Sequence, residues 1–248
     1  MKNSQIALLS AFGVVLLVIL AAAVAGRLIL QSVQSGDYDY DRDAAPRVTA
    51  PSSSSGDFDL EGFTQIDARG IWKIRLEQGE DWDVQLTYPE RMADRLDVHV
   101  ENGRLVLGYD TGRRSWWGGF GGGERFEARI VMPEIQSIDL SGASEIDFSG
   151  FSGDALSINS SGASEIDARD SRFDTLSLTV SGAGDVDLGD VPVGDARVVL
   201  SGAGSITLDM DGGELSGTVS GAGKVRYHGT VSRQSVVVSG FSSVDHVN

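Results

Sequence analysis

Three pairs of carboxylates recur in the second half of the chain: Glu145 with Asp147, Glu165 with Asp167, and Asp185 with Asp187. Glycoside hydrolysis uses such pairs, with the two groups about 5–5.5 or about 6.5–9.5 Å apart. Carboxylates are also hard-oxygen ligands. If Asp147, Asp167 and Asp187 stack at a spacing of about 4.8 Å, a calcium ion would relieve their mutual repulsion. Against both chemistries stands the repetition itself. A spacing of two places both members of a pair on one face of a strand, turned away from the apolar residue between them. Acids that recur by repeat read as a solvated face, with the calcium ladder as the alternative. The histidines His99, His228 and His246 lack metal-triad spacing. No G-x-S-x-G, H-E-x-x-H or Walker motif occurs. With no cysteine, there is no disulfide, thiolate nucleophile, Cys-ligated zinc or acylated cysteine. The sequence therefore predicts no catalytic residue and no cofactor.

One segment has the composition of a contact site. Residues 110–124, DTGRRSWWGGFGGGE, join Arg113, Arg114, Trp116, Trp117 and Phe120 to six glycines. Arginine beside tryptophan is typical of binding hot spots, and flanking glycines disfavour a regular strand. Two readings stand: an aromatic cluster folded onto its own domain, or an exposed loop that touches a glycan, a protein or a lipid interface.

The acid pairs belong to a repeat. Ser-Gly-Ala begins at 141, 161, 181, 201 and 220, and Ser-Gly-Phe at 239. Five residues after each serine stand Ile146, Ile166, Val186, Ile206, Val225 and Val244; two further on stand Phe148, Ala168, Leu188, Leu208, Tyr227 and His246. A mostly polar column lies between them. This is period-2 alternation, the mark of a strand with one buried face. A second strand precedes each serine, with inward columns Ile138, Ile158, Leu178, Val198, Gly217, Val236 and Leu140, Ser160, Val180, Leu200, Val219, Val238. Nothing in the repeat has a helical period. A coil of this length closes on itself as two or three short strands, and stacked coils bury continuous ladders. The expectation is an all-β protein whose residues 133–248 form a parallel β-helix, or solenoid. Ser-Gly-Ala is its corner: the glycines take positive φ, the alanines fill a narrow interior, and the serine hydroxyls satisfy turn backbone groups.

Residues 59–132 read as an irregular, partly antiparallel β module that caps the first coil. Strands are expected at 65–68, 71–76, 84–88, 96–101, 104–109 and 126–132, and Asn102-Gly103 signals a type I′ hairpin. Residues 31–58 read as an acidic, Ser/Pro-rich linker. Residues 6–26 are uncharged and apolar. As a helix of about 1.5 Å per residue they span a hydrocarbon core of about 30 Å. Residues 1–30 are thus expected to be a transmembrane anchor, or else a signal peptide cleaved near Ala25. Either way residues 31–248 are exported.

The net charge is −16 and the pI about 4.4. An acidic surface excludes sequence-independent binding to nucleic acid, which needs a basic face.

Several residues carry a family resemblance. They are the apolar amino-terminal segment, Gly62-Phe63 with Ile66, the run Ile74 to Gly79, the Asn102-Gly103 hairpin with Leu105, and the serial Ser-Gly-Ala-x-x-Ile/Val-Asp units. Over about 59–248 the chain resembles the auto-transporter adhesin head GIN domain, a bacterial domain of unknown function. The resemblance implies a β-solenoid and brings no catalytic residues. The function it leaves is an exported, membrane-tethered, non-catalytic interaction or adhesion-type module of the cell envelope. Its partner would be an envelope protein or a glycan. The alternatives are a carbohydrate-active β-helix enzyme and an envelope sensor or scaffold that acts through a membrane partner.

Overall fold

The structure, a computed structural model, describes residues 53–110 and 126–247. It is all-β, with a mostly parallel β-solenoid of about six turns. The expected membrane segment, most of the linker and the contact segment with Arg113, Arg114, Trp116, Trp117 and Phe120 lie outside the described residues. Among the described residues, no helix is long and apolar enough to cross a membrane.

The strands follow in chain order: β1 (Ser53–Phe58), β2 (Gln65–Gln78), β3 (Asp83–Pro89), β4 (Leu96–Glu101), β5 (Arg104–Tyr109), β6 (Glu127–Met132), β7 (Ser137–Ser149), β8 (Ser152–Arg169), β9 (Arg172–Asp211), β10 (Glu214–Thr230), β11 (Arg233–Val238) and β12 (Ser243–His246). A short 3-10 turn, Glu90–Arg95, joins β3 to β4.

The repeat columns are in register as expected. Ile146 pairs with Ile166 and Val225 with Ile206, all of them buried. A middle turn buries three runs, for example Leu156-Ile158-Ser160, then Ser164-Ile166-Ala168, then Ser171 and Phe173. Polar residues alternate outward between them. This period-2 pattern is what parallel stacking at about 4.8 Å requires if a single apolar column is to run through every turn. The six corner glycines, Gly142, Gly162, Gly182, Gly202, Gly221 and Gly240, all have positive φ. Two corner serines behave as predicted: Ser161 donates to Leu140 O at 3.3 Å and Ser220 to Leu200 O at 3.2 Å, each reaching the turn before.

Three findings differ from the sequence reading. First, the stacking begins well before residue 133. β2 runs parallel to β7 from Gln65↔Ser137 to Glu77↔Ser149, and Gly70 lies opposite Gly142. The corner glycine is present in β2, but Arg69 and Ile71 replace its Ser and Ala flanks, so the turn does not show as a repeat. The antiparallel pairing expected in 59–132 is present in β1–β3, β3–β6 and β4–β5. β5 and β6 also extend the parallel stack, along the β2 edge opposite β7. In the β4–β5 hairpin, Asn102 and Gly103 have φ of 52° and 74°, as a type I′ turn needs. Second, the end of the expected linker is a strand. β1 pairs with β3 from Ser53↔Pro89 to Phe58↔Val84, and Phe58 packs on the core. Backbone pairing along a free edge, with one aromatic anchor, sets this strand, so its serines show no apolar period. Third, the corner alanines Ala143, Ala163, Ala183 and Ala203 are exposed and do not fill the corner interior. The positive-φ glycine turns the chain so that three successive residues of each corner face solvent, and inward alternation resumes one residue later, at Ser144 and Ser164.

Candidate functional site

The exposed alanines form a ladder. Ile71 pairs with Ala143, Ala143 with Ala163, Ala163 with Ala183, and Ala203 with Ala222. At the far end Phe241 occupies the same column, its N–H donating to Gly221 O at 2.7 Å. A groove of about 820 Å³ follows this ladder. Its floor is Ala143, Ala163, Ala183 and Ala203 with Ser144, Ser164, Gly184 and Gly204, and one wall carries Glu145, Glu165 and Asp185. Ile71, Trp72, Lys73, Phe126 and Glu127 close its head.

The head is rigid. Tyr109 and Phe126 stack with ring centroids 4.1 Å apart and planes 4° from parallel, and Trp72 lies against both. The Trp72 indole N–H donates to Arg69 O at 3.1 Å, and the Ile71 N–H donates to the Tyr109 hydroxyl at 2.9 Å. Lys73 donates to Glu145 across the β2–β7 step. That hydrogen bond holds the ammonium above the ordinary lysine pKa. The first carboxylate of the groove wall is therefore ion-paired; Glu165 is exposed, and Asp185, also exposed, accepts the Ser205 N–H at 2.9 Å. Motif matching misses Ile71, Trp72 and Phe126. The available signal was the spacing of Ile66, Ala68, Gly70, Ile74 and Leu76, which is that of Ile138, Leu140, Gly142, Ile146 and Phe148.

The second acidic column runs beside the groove. Asp147, Asp167 and Asp187 lie opposite one another across the β7–β8–β9 steps, and Arg75 continues the column on β2. Partial burial is the main cause that raises the Asp167 pKa, and the facing charges of Asp147 and Asp187 add to it. Among the described residues, no group of three or more His, Asp or Glu side chains is placed to hold a metal ion. The calcium ladder thus has the stacking it needs but not a converging ligand set. Two of the three histidines have other partners: His99 lies 3.0 Å from Asp97, and His246 stacks on Tyr227 and contacts Gly229 O at 2.9 Å.

The raised Asp167 pKa fixes a sign. A carboxyl whose pKa is raised by folding opposes folding, so its penalty is absent in acid, grows as pH rises from the unfolded-state value to the folded-state value, and is complete above it. Asp167→Asn should therefore melt above wild type at pH 7. The difference should shrink towards zero as pH falls below the ordinary carboxylate range. A difference that is constant across pH would assign the effect to packing.

A buried hydroxyl marks an imperfection in the repeat. Ser164 Oγ bonds Ser160 Oγ at 2.7 Å, but the equivalent Ser144 faces Leu140, and its Oγ is buried without a partner. An unsatisfied buried hydroxyl costs about 1–3 kcal/mol. Ser144→Ala is expected to be neutral or to stabilise by about 1 kcal/mol, whereas Ser164→Ala should destabilise because it strands Ser160. Denaturant midpoints measure both.

The fold and this surface define a class: a mostly parallel β-solenoid whose long exposed ladder is built by repetition. Within that class the chain belongs to the family described as "Putative auto-transporter adhesin, head GIN domain", which it matches over residues 62–190 and 189–248. No curated protein matches the chain. Among solved structures it is similar to a "putative adhesin" from Bacteroides fragilis, at 19% identity and a TM-score of 0.64, covering 79% of this chain and 99% of that one. A "putative adhesin" from Parabacteroides merdae is 16% identical with a TM-score of 0.46, covering 79% and 96%. Identity this low makes the Bacteroides protein a match of fold.

Proposed function

We propose that this protein is a non-catalytic, adhesion-type interaction module of the bacterial envelope. In this reading residues 6–26 tether it to the cytoplasmic membrane, and residues 31–248 lie outside the cytoplasm. The observation that carries the reading is the groove along the alanine ladder. Its wall and floor offer the same residue types turn after turn, a pattern suited to contact with an extended or repetitive partner. Catalysis, in contrast, needs one irregular cluster of acid and base. The groove offers an apolar floor, an acidic wall and, at its head, the exposed Ile71 beside a buried aromatic cluster. The partner is a glycan or an envelope protein that lies along this face, and Arg113, Arg114, Trp116, Trp117 and Phe120 add a second contact.

Two experiments test this. In spheroplasts, added protease should digest residues 31–248 while the membrane stays sealed; protection would overturn the export. The full chain in detergent should capture envelope glycans or proteins. Capture should fall at least tenfold in the Ala163→Arg/Ala183→Arg variant, whose substitutions sit at exposed positions and should keep the melting temperature. Replacing Trp116, Trp117 and Phe120 by serine should also weaken capture with a melting shift of a few degrees. Sugar release from an added polysaccharide would replace this reading with an enzymatic one.

A further inference from the structure

The acidic wall of the alanine groove is bounded at both ends. In register its column reads Lys73, Glu145, Glu165, Asp185, then Ser205 and Lys224. The column beside it reads Arg75, Asp147, Asp167, Asp187, then Thr207 and Arg226. Three successive turns thus present paired carboxylates, with bases before and after them. Those bases leave most of the charge unneutralised. Lys224 pairs with Asp245 at 3.4 Å, and Arg226 donates to Ser205 Oγ at 3.1 Å. Lys73 alone reaches the wall, at Glu145. Asp185 and Asp187 accept the backbone N–H groups of Ser205 and Gly189 at 2.9 and 3.0 Å, which bring no full positive charge.

The floor beside this wall is methyl groups and bare backbone, from Ala143 to Gly204. A lysine suits both surfaces at once. Its four-carbon stem covers apolar floor while its ammonium stays at the wall. Lys73 already shows half of that arrangement, with its ammonium on Glu145 from the neighbouring turn. Glu165 and Asp185 hold the equivalent places without an ammonium. The floor also holds an unmet hydroxyl. Ser144 lines the groove and is 7% exposed, and its Oγ has no partner, because Leu140 stands where Ser160 serves Ser164. A donor that enters beside Glu145 is what this oxygen lacks. A neutral sugar finds less here. Trp72 and Phe126 are 2% and 3% exposed, so neither ring is free for a sugar to stack on.

We propose that the groove binds an extended, lysine-bearing segment of a partner polypeptide. The proposal rests on the reading of the groove as the contact site, and it selects protein over glycan. Charge complementarity names the occupant. From Ile71 to Ala203 the ladder climbs through successive turns for about 19 Å, at about 4.8 Å each, which is room for about six extended residues at about 3.3 Å each. Alternate side chains of that segment point to the wall, about 6.6 Å apart, and flexible lysine stems bring their ammonium groups to Glu165 and Asp185. Lys224 and Arg226 repel cations beyond the third acidic turn, so the positive run is short. The exposed Ile71 sets the direction: the segment carries an apolar residue at the groove head.

Anisotropy titrations of the purified full chain in mild detergent at pH 7 test this, with a dye-labelled heptapeptide of alternating lysine and alanine as the probe. It should bind at least tenfold more tightly than the glutamate–alanine heptapeptide. Replacing its lysines by diaminobutyrate keeps the charge and shortens the stem, and should weaken binding at least threefold. Glu165→Gln/Asp185→Asn keeps an oxygen for the Ser205 N–H and should cut affinity at least tenfold. Asp154→Asn/Asp174→Asn removes the same charge at exposed positions outside the groove and should change affinity less than twofold. No binding of the lysine peptide, equal binding of the glutamate or diaminobutyrate peptide, or equal losses in the two double variants would each overturn the proposal. Glycan capture that Ala163→Arg/Ala183→Arg abolishes, with no lysine-peptide binding, would overturn it and leave the groove as the contact site. Capture that this variant leaves unchanged would overturn the groove reading itself.

Discussion

Gly182→Val should destabilise the solenoid by about 3–5 kcal/mol, among the largest effects of any corner substitution. Gly182 has φ of 127°, outside the range an L side chain readily adopts, and that strain alone is worth about 1–3 kcal/mol. The stacking adds a second and less forgiving term. A Cβ on Gly182 would lie 2.3 Å from the carbonyl oxygen of Gly162, the equivalent corner one turn earlier. That oxygen is backbone, fixed by the parallel ladder, so no side-chain rotation relieves the clash. The neighbouring position makes the control. Ala183 is exposed at the groove floor, and Ala183→Val should change stability by less than about 0.5–1 kcal/mol. Urea midpoints of the two variants measure the contrast, and equal losses would mean that the corner glycine and the groove alanine have been interchanged.

The same geometry explains which parts of the fold the sequence reveals. Columns of Ile, Val and Leu at a fixed spacing are visible because stacking repeats the same environment in every turn. Corner glycines are visible because each turn needs the same φ. The sequence does not reveal which way the residue after the glycine points. Alanine is small enough to suit a narrow interior or an exposed corner, and only the backbone twist at Gly142 and its equivalents places Ala143, Ala163, Ala183 and Ala203 outside. The first turn was hidden for a different reason. β2 keeps the inward residues Ile66, Ala68, Ile74 and Leu76, but its corner reads Arg69-Gly70-Ile71. The chain then makes an excursion through β3 to β6 before β7 returns to the other side of β2. Register of this kind links residues far apart in sequence, and no local pattern encodes it. The head of the groove, where Trp72 meets Phe126, depends wholly on that excursion. Gly217 shows the reverse: it interrupts an inward column otherwise made of Ile, Leu and Val. Its φ of 134°, and an added Cβ only 1.8 Å from Val198 O, show that the position is a local bend and not a vacant core site.

Phe173→Ala is the other large loss to expect, about 4–5 kcal/mol, at the upper end for a buried phenylalanine. The reason lies in how successive turns fill the same space. Phe173 is opposite Gly153 in the parallel register, and both it and Phe151 are about 1% exposed. A Cβ built on Gly153 would touch the Phe173 ring at 3.6 Å, so the ring already occupies the room that a side chain at 153 would use. One residue-pair earlier the roles reverse: Phe151 stands in the turn where its equivalent, Ser171, is small, and the Ser171 hydroxyl accepts from the Phe151 N–H at 3.1 Å. Large and small therefore alternate between turns, and each ring fills space that its neighbour leaves. When the Phe173 ring is removed, Gly153 has no atoms to move into the void, and the ladder on either side prevents collapse. Partial filling should be visible. Gly153→Ala has only van der Waals contact to accommodate, so on its own it should be nearly neutral, and in the Phe173→Ala background it should recover about 0.5–1 kcal/mol. Full denaturant curves of the four proteins give the coupling. A Phe173→Ala loss below about 2 kcal/mol would mean that the turns slide together to close the cavity, contrary to a core held open by its backbone ladders.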